Sequence, residues 1–407
     1  MTSAPAPIPV PDHIPAHLIG GFPFTPGSYT TERPHDIAQR LQDEDGPEVW
    51  YARQVFADGG AWVFRRAADM RAIALNTDHF ANKDFSPYAQ LTGGGWSMIP
   101  SEQDPPVHSM YRMLLNPIFA PKEISRLNGQ IAMHARNYVE AFRERGSCEV
   151  MADFAFKFPI EVFMGLMNLP RERLDEFMTW EHQLIHGSDL SKMQAASQAA
   201  VDYLRQEIAD RRNNLGEDFI SFAIRADLKG RPLTETELLG MCFNLFVGGL
   251  DTVSTHMGHF LRHLAENPQD QALLRANPDL ISGAVDELLR AYSSSITMRT
   301  CIKDIEVHDV LIRAGDRVAM VWPLAGRDPL EYDDPATIRF DRKPRQMAMG
   351  FGPHLCLGLY LARRELTIAM ATFLELLPEF RIADGAEIVC DLGGVIQAKA
   401  IPIVWDA

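Results

Sequence analysis

Apolar and polar positions follow helical periodicity over most of the chain from about residue 35 to 295. Candidate helices run over 67–75, 107–119, 122–145, 154–167, 171–185 and 192–212. Alternation of period two appears near 302–311 and 317–322, and again in the tail around 387–404. The pattern predicts a mainly α protein with small β-sheets near one end and in the tail. No repeat, low-complexity tract or linker divides the chain, so residues 1–407 read as one domain. The proline-rich opening, residues 1–20, reads as an extended surface strap.

One segment stands apart: LTETELLGMCFNLFVGGLDTVSTHMGHFLRHLAENP. Thr234 and Glu237 have capping-box spacing, and the run stops before Pro268. The helix so predicted is roughly 50 Å long at 1.5 Å per residue. It is apolar nearly all round and is therefore expected to be central and buried. Its middle, VGGLDTV, is poorly suited to a helix. Adjacent glycines each cost about 1 kcal/mol relative to alanine. Close packing against another helix would explain the glycines, but it explains a buried Asp251 less well. The alternative is functional. The Thr252 hydroxyl lies four residues after Gly248 and can bond its carbonyl, loosening the helix. The expected kink opens a groove lined by a hydroxyl, backbone carbonyls and an acid, a place to bind a small polar molecule and deliver protons to it.

Charge and cysteine content narrow the classes. The net charge of −15 disfavours nucleic acid and anionic lipid surfaces. No apolar run approaches the roughly 20 residues of a membrane helix, and the N-terminal residues lack the basic and apolar regions of a signal peptide. A cytoplasmic protein is expected. Five cysteines, far apart and without a CxxC, argue against disulfides and structural zinc. Cys148, Cys242, Cys301 and Cys390 read as small buried hydrophobes.

Cys356 is different. It lies in MGFGPHLCLG and is followed by an apolar-periodic run from Leu357 to Leu377 that Pro378 ends. It is thus expected at a helix N-terminus, where unpaired N–H groups and the dipole lower a thiol's pKa and favour a metal ligand or nucleophile. Gly350, Gly352 and Pro353 shape a tight loop whose amides can reach the sulfur.

On these residues, the chain resembles the cytochrome P-450 family of haem-thiolate monooxygenases along essentially its whole length. GFGPHLCLG matches the family's cysteine loop, with Gly352, Cys356 and Gly358 in place. GGLDT, from Gly248 to Thr252, matches the oxygen-binding groove, and Glu287 with Arg290 matches the ExxR pair. AGRDPLEYDDPATIRFDR, from Ala325 to Arg342, is similar to the segment leading into the cysteine loop. One departure is Met349, where phenylalanine is usual.

The resemblance implies haem b held by the Cys356 thiolate as proximal iron ligand. It implies Asp251 and Thr252 as the pair that supplies protons during oxygen activation. It also implies His108, Arg112, Arg299 and His354 at the haem propionates. Glu287 and Arg290 are implied to be structural, with Arg327 or Arg342 as a third member. RFDRKPR, from Arg339 to Arg345, carries four cations against one acid and is expected on the proximal face. Arg112 and Arg364 would extend that patch, which suits docking of a two-iron ferredoxin fed by an NADH-dependent reductase.

The resemblance is closest to the bacterial camphor 5-monooxygenase group, with two differences. Trp96 takes the place of a tyrosine that bonds the camphor ketone, and Asn244 stands where an aliphatic residue is usual. The expected reaction is hydroxylation of an unactivated C–H bond in a compact apolar cyclic substrate, a monoterpenoid or ionone-like norisoprenoid, by a monomer using O2. Trp96, Asn244, Phe246, Val247, Ser295, Ile296, Val395 and Ile396 are the expected pocket residues. A hydrogen-peroxide-driven peroxygenase and a non-catalytic haem sensor or carrier are the competing readings. Both leave the Asp251–Thr252 pair without a task.

Overall fold

The computed structural model describes residues 9–56, 59–83, 86–187 and 189–406. Five helices organise the interior: α1 (Val107–Leu115), α2 (Leu174–Ile185), α3 (Glu235–Glu266), α4 (Ile281–Ala291) and α5 (Leu359–Leu376). The capping box at Thr234 forms as expected. Its hydroxyl accepts from the Glu237 N–H while the Glu237 carboxylate accepts from the Thr234 N–H. That start launches a 32-residue helix which packs against α2, α5 and the helices Lys157–Met167 and Leu190–Asn213. By length and composition α3 is apolar enough to cross a membrane, yet it is mostly covered by protein.

Two apolar cores meet along α3. The N-terminal one joins Leu238, Leu239, Phe243 and Phe246 to α2 and the helix Leu190–Asn213. The C-terminal one joins Val253, Met257, Phe260 and Leu264 to α4 and α5. Phe260 is fully buried, worth about 1.5–3 kcal/mol for a side chain of this size. The VGGLDTV stretch lies where the two cores join.

A third core underlies a six-stranded sheet with strand order Ile19–Gly20, Val49–Phe56, Gly59–Phe64, Arg317–Val321, Ile296–Cys301, Phe80–Ala81. The tail strands Cys390–Leu392 and Ile396–Ala398 pair in a separate three-stranded sheet.

The structure corrects several boundaries. Residues 107–119 supply a helix that ends at Leu115. The stretch 122–145 divides into Pro121–Ile124, a 3-10 turn and Asn128–Arg143. Residues 154–167 divide after a π-turn at Met151–Ala155, and Pro159, which has no N–H, falls in the first turn of the next helix. The strands Val49–Phe56 and Gly59–Phe64 lie inside the range read as helical. Gly59–Phe64 is buried at every position, so it shows no alternation to read. Residues 1–8 of the expected strap lie outside the described residues. The rest is anchored: Ile19 and Gly20 pair in parallel with Tyr51 and Ala52, and His13 lies 2.9 Å from the Asp316 carboxylate.

Candidate active site

The cysteine loop is built on a close approach. Gly352 has φ +74°, and a Cβ there would lie 2.8 Å from the Ala74 carbonyl oxygen, so glycine is required. A 3-10 turn, Gly352–His354, comes next, and the Cys356 N–H donates to the Met349 carbonyl at 2.9 Å. Met349 itself packs against the C-terminal core. Gly358 caps α5, so Cys356 precedes the helix by three residues rather than opening it. The expected drop in thiol pKa is not found. Burial pushes the Cys356 thiol up, against the opposing pull of the Gly358 N–H and the Arg112 charge. A metal cation at the sulfur would favour its deprotonated form against this burial.

Four basic side chains converge beside this loop. Arg112 donates to the Leu355 carbonyl at 2.6 Å. The rings of His108 and His354 lie 4.2 Å apart. Arg299 is buried and donates to its neighbour's carbonyl at Met298. Burial, with the Arg112 and Arg299 charges, lowers His108 to about 4. Burial, with His108, Arg299 and Arg112, lowers His354 to about 3. Burial lowers Arg299 to about 10. The Asn82 amide donates to His354 Nδ1, which leaves the ring hydrogen on Nε2. That Nε2, and Nε2 of His108, are buried without a hydrogen-bond partner among the described residues. Two arginine charges, Arg112 and Arg299, beside two neutral imidazoles whose Nε2 atoms lack a hydrogen bond fit a ligand bearing carboxylates, although the Asp104 carboxylate lies 4.0 Å from His354 Nε2. Haem, with two propionates, suits them.

Opposite chemistry marks α3. Its glycines are of two kinds. A Cβ at Gly240 would lie 2.1 Å from the Ser97 oxygen, and one at Gly258 would lie 2.5 Å from Met151 Sδ, so these two permit close packing. At Gly248 and Gly249 a Cβ would meet nothing within 4 Å. Close packing is thus not the reason for VGGLDTV. The helix assignment runs unbroken through this stretch, and at Gly248 and Gly249 the missing side chains leave its face open. An open face on the most central helix suits a flat cofactor.

Asp251 is buried, 2% exposed, and its partners come from far away. His186, just after α2, places Nε2 2.9 Å from Asp251 Oδ1, and Gln397 donates to the same oxygen and to Thr255 Oγ1. Sequence reasoning named none of these partners. The one available signal was that a buried carboxylate must have some. Thr252 is partly exposed, and its carbonyl accepts from His256 Nδ1 at 2.6 Å.

The expected pocket residues separate into two groups. Ser295 and Val395 form a β-bridge and stay partly accessible in the interior, as does Val247. Asn244 is buried, and its amide makes no hydrogen bond among the described residues. Trp96 packs edge-on against Phe243 with 4.8 Å between ring centroids, but its indole N–H is already given to Thr92 Oγ1 at 3.0 Å. It can shape a wall without anchoring a polar group. Phe246, 1% exposed, is locked among Phe163, Phe177, Trp180 and Phe243. Ile296 and Ile396 belong to the core under the large sheet, and Ile396 retains no accessible surface. Phe246 and Ile396 thus have no face left for a pocket.

Glu287 and Arg290 form a fully buried, doubly hydrogen-bonded pair at 2.7 and 2.8 Å. Arg342 is the third member, 3.0 Å from Glu287, while Arg327 bonds the carbonyls of Ala291, Pro335 and Ala336. This removes Arg342 from the surface patch, where Arg339, Lys343 and Arg345 remain exposed. Arg364 bonds Asn128.

The Cytochrome P450 family model matches residues 166–383. A probable cytochrome P450 127A1 of Sinorhizobium fredii is 38% identical, over 98% of this chain and 97% of that protein. Among solved structures, CYP101J2 aligns with a TM-score of 0.87 at 29% identity, covering 98% of this chain and 100% of that one. CYP101C1 aligns with the same score and coverage at 31% identity.

Proposed function

The chain belongs to the cytochrome P450 family, oxidoreductases that bind haem b through a cysteine thiolate, and from that premise we propose that Cys356 is the iron ligand of a C–H hydroxylase. The observation that carries the assignment is the pair of orphaned nitrogens, His108 Nε2 and His354 Nε2, beside the loop that bears the one cysteine not fully buried. His108, Arg112, Arg299 and His354 would hold the propionates, whose negative charge would offset the like charges of Arg112 and Arg299. Gly248 and Gly249 leave the opposite face of the cofactor free of side chains. When bound, haem supplies oxygen activation and insertion into carbon–hydrogen bonds.

The chain's own residues position the substrate and move protons. Asp251 and Thr252 deliver protons to the face that Gly248 opens. Val247 and Val395 supply an apolar wall, with Ser295 bridged to Val395, and Asn244 supplies a hydrogen-bonding group. An unpaired amide beside an apolar wall suits a compact cyclic molecule with one oxygen function, such as a monoterpenoid ketone or an ionone-like norisoprenoid. The exposed cations Arg339, Lys343 and Arg345 receive an acidic electron donor, a two-iron ferredoxin served by an NADH-dependent reductase.

The test is spectroscopic. The reduced protein with carbon monoxide is expected to show the strongly red-shifted band of thiolate ligation, and Cys356→Ser to lose it. A normal band in that variant overturns the ligand assignment. Thr252→Ala is expected to bind substrate normally while diverting reducing equivalents to hydrogen peroxide. Unchanged coupling overturns the proton-delivery assignment.

A further inference from the structure

Asp251 has two oxygens in different surroundings. Oδ1 accepts from His186 and Gln397, whereas Oδ2 is buried with no donor. On α2, Glu181 is 7% exposed, and its Oε1 is likewise buried with no donor. One ligand-type atom from each of Glu181, His186 and Asp251 lies within 4.8 Å of the others. Two carboxylates so close in a dry site cannot both be ionised without a cation or a shared proton between them.

We propose that Glu181 and Asp251 share one proton across their facing carboxyl groups, making Glu181 a positioning residue that keeps Asp251 loaded, and that His186 refills the pair from solvent. This rests on the assignment of Asp251 to proton delivery. Burial and the Asp251 carboxylate, as both charge and hydrogen-bond partner, hold the Glu181 carboxyl well above its usual range, which places the shared proton on Glu181. Burial opposes the charged form of His186, but the Asp251 charge and hydrogen bond outweigh it and raise the ring. The other ionisable groups facing the cluster are Tyr88, with Glu102 behind it, His182 on α2, His256 on α3, which burial lowers to about 4, and Asp391 and Lys399 in the tail. Tyr88 is raised by burial and stays neutral, so it adds no charge.

The cluster lies close to solvent at the end of α2, where His186 is partly exposed and His182 is exposed. The His182 ring is 5.7 Å from that of His186 and lines an open surface cleft with Asp175, Thr179 and Gln183. The protons balance at each step. The Glu181 proton moves to Asp251 Oδ2, Asp251 passes it onward, and the pair goes from one negative charge to two. Protonated His186 then gives its proton to Asp251 Oδ1, the pair returns to one negative charge, and the partly exposed ring regains a proton from water. Sharing one proton between two acids keeps it mobile while limiting the charge held in a low-dielectric site. Gln397 can donate to Oδ1 but cannot release a proton, so it fixes the orientation of the carboxylate.

The first test needs no turnover. Infrared spectra of the ferric holoenzyme are expected to show the carbonyl stretch of a protonated, buried carboxylic acid that Glu181→Gln removes. In steady state, Glu181→Gln is expected to keep haem content, thermal stability and substrate affinity. It should slow the proton-dependent step by roughly one to two orders of magnitude, with a larger solvent isotope effect and a shifted pH profile, and Glu181→Asp should recover part of the rate. Two results overturn the proposal: absence of a protonated-acid band assignable to Glu181, or a stoichiometric divalent cation in the purified protein that Glu181→Gln releases. Normal coupling in Thr252→Ala would refute the delivery assignment while leaving the infrared result standing, so the two failures are distinguishable.

Discussion

His108 and His354 face each other with ring centroids 4.2 Å apart and planes inclined by 40°, and each leaves Nε2 buried with no hydrogen bond among the described residues, His354 Nε2 lying 4.0 Å from the Asp104 carboxylate. Neither ring is built to be charged in the haem-free fold. His108 titrates near 4 and His354 near 3, against an ordinary value of 6.5. The unfolded chain takes up protons at the ordinary value and the folded chain does not. Stability of the haem-free protein is therefore complete above that value and falls as pH drops from 6.5 towards about 4. Each ring contributes up to about 1.4 kcal/mol per pH unit in that window. Denaturant unfolding at pH 7 and pH 5 measures this. His108→Gln and His354→Gln should each lessen the loss, and haem-loaded protein should show a flatter dependence. Equal slopes in all forms would contradict a haem-free fold that keeps both rings neutral.

The two kinds of glycine on α3 should separate stability from cofactor capacity. Gly240→Ala drives a methyl group into the Ser97 carbonyl and should lower stability by about 1–3 kcal/mol. Gly248→Val enters open space. It should leave the thermal midpoint of the haem-free protein nearly unchanged while reducing haem stoichiometry, measured by extraction of the cofactor. A Gly248→Val protein that loads haem fully would show that the cofactor does not lie against this groove.

Arg342 and Lys343 are adjacent in sequence and opposed in role. Arg342 bonds the fully buried Glu287, whereas Lys343 is exposed. Glu287→Gln leaves Arg290 and Arg342 without a counter-charge and should cost about 3–5 kcal/mol in a denaturant titration. Lys343→Glu with Arg345→Glu should leave stability alone and raise the ferredoxin KM roughly tenfold at low salt, an effect that fades as salt screens it. An unchanged KM would move the docking surface elsewhere.

Asn244 and Trp96 divide the substrate contacts. Asn244→Leu should lower the preference for a cyclic ketone over its hydrocarbon analogue by about 1 kcal/mol, or five- to tenfold. Trp96→Phe should not change that preference, because the indole N–H already serves Thr92. Spectral titration with the two analogues distinguishes them. If Trp96→Phe alone removes the preference, the anchor is the indole.

Much of the frame was legible in local order. A capping box, a long apolar run and Pro268 were enough to delimit α3, because a helix is decided by residues three and four apart. The cysteine loop and the Glu287–Arg290 pair were likewise visible in short stretches. The strands Val49–Phe56 and Gly59–Phe64 were not: Gly59–Phe64 is buried at every position, and Val49–Phe56 buries four consecutive residues before exposing Arg53 and Gln54, so neither alternates. The pocket wall was only partly legible. Val247 and Phe246 are neighbours on one helix, and it is the aromatic cluster packed around Phe246 that turns one inward and leaves the other accessible. Asp251 shows the limit most clearly. Its need for partners follows from the cost of burying a charge, but the partners lie 65 and 146 residues away in His186 and Gln397. Local sequence sets the period and ends of each helix. Which side chains meet across helices is set by how the cores pack, and that information is spread over the whole chain.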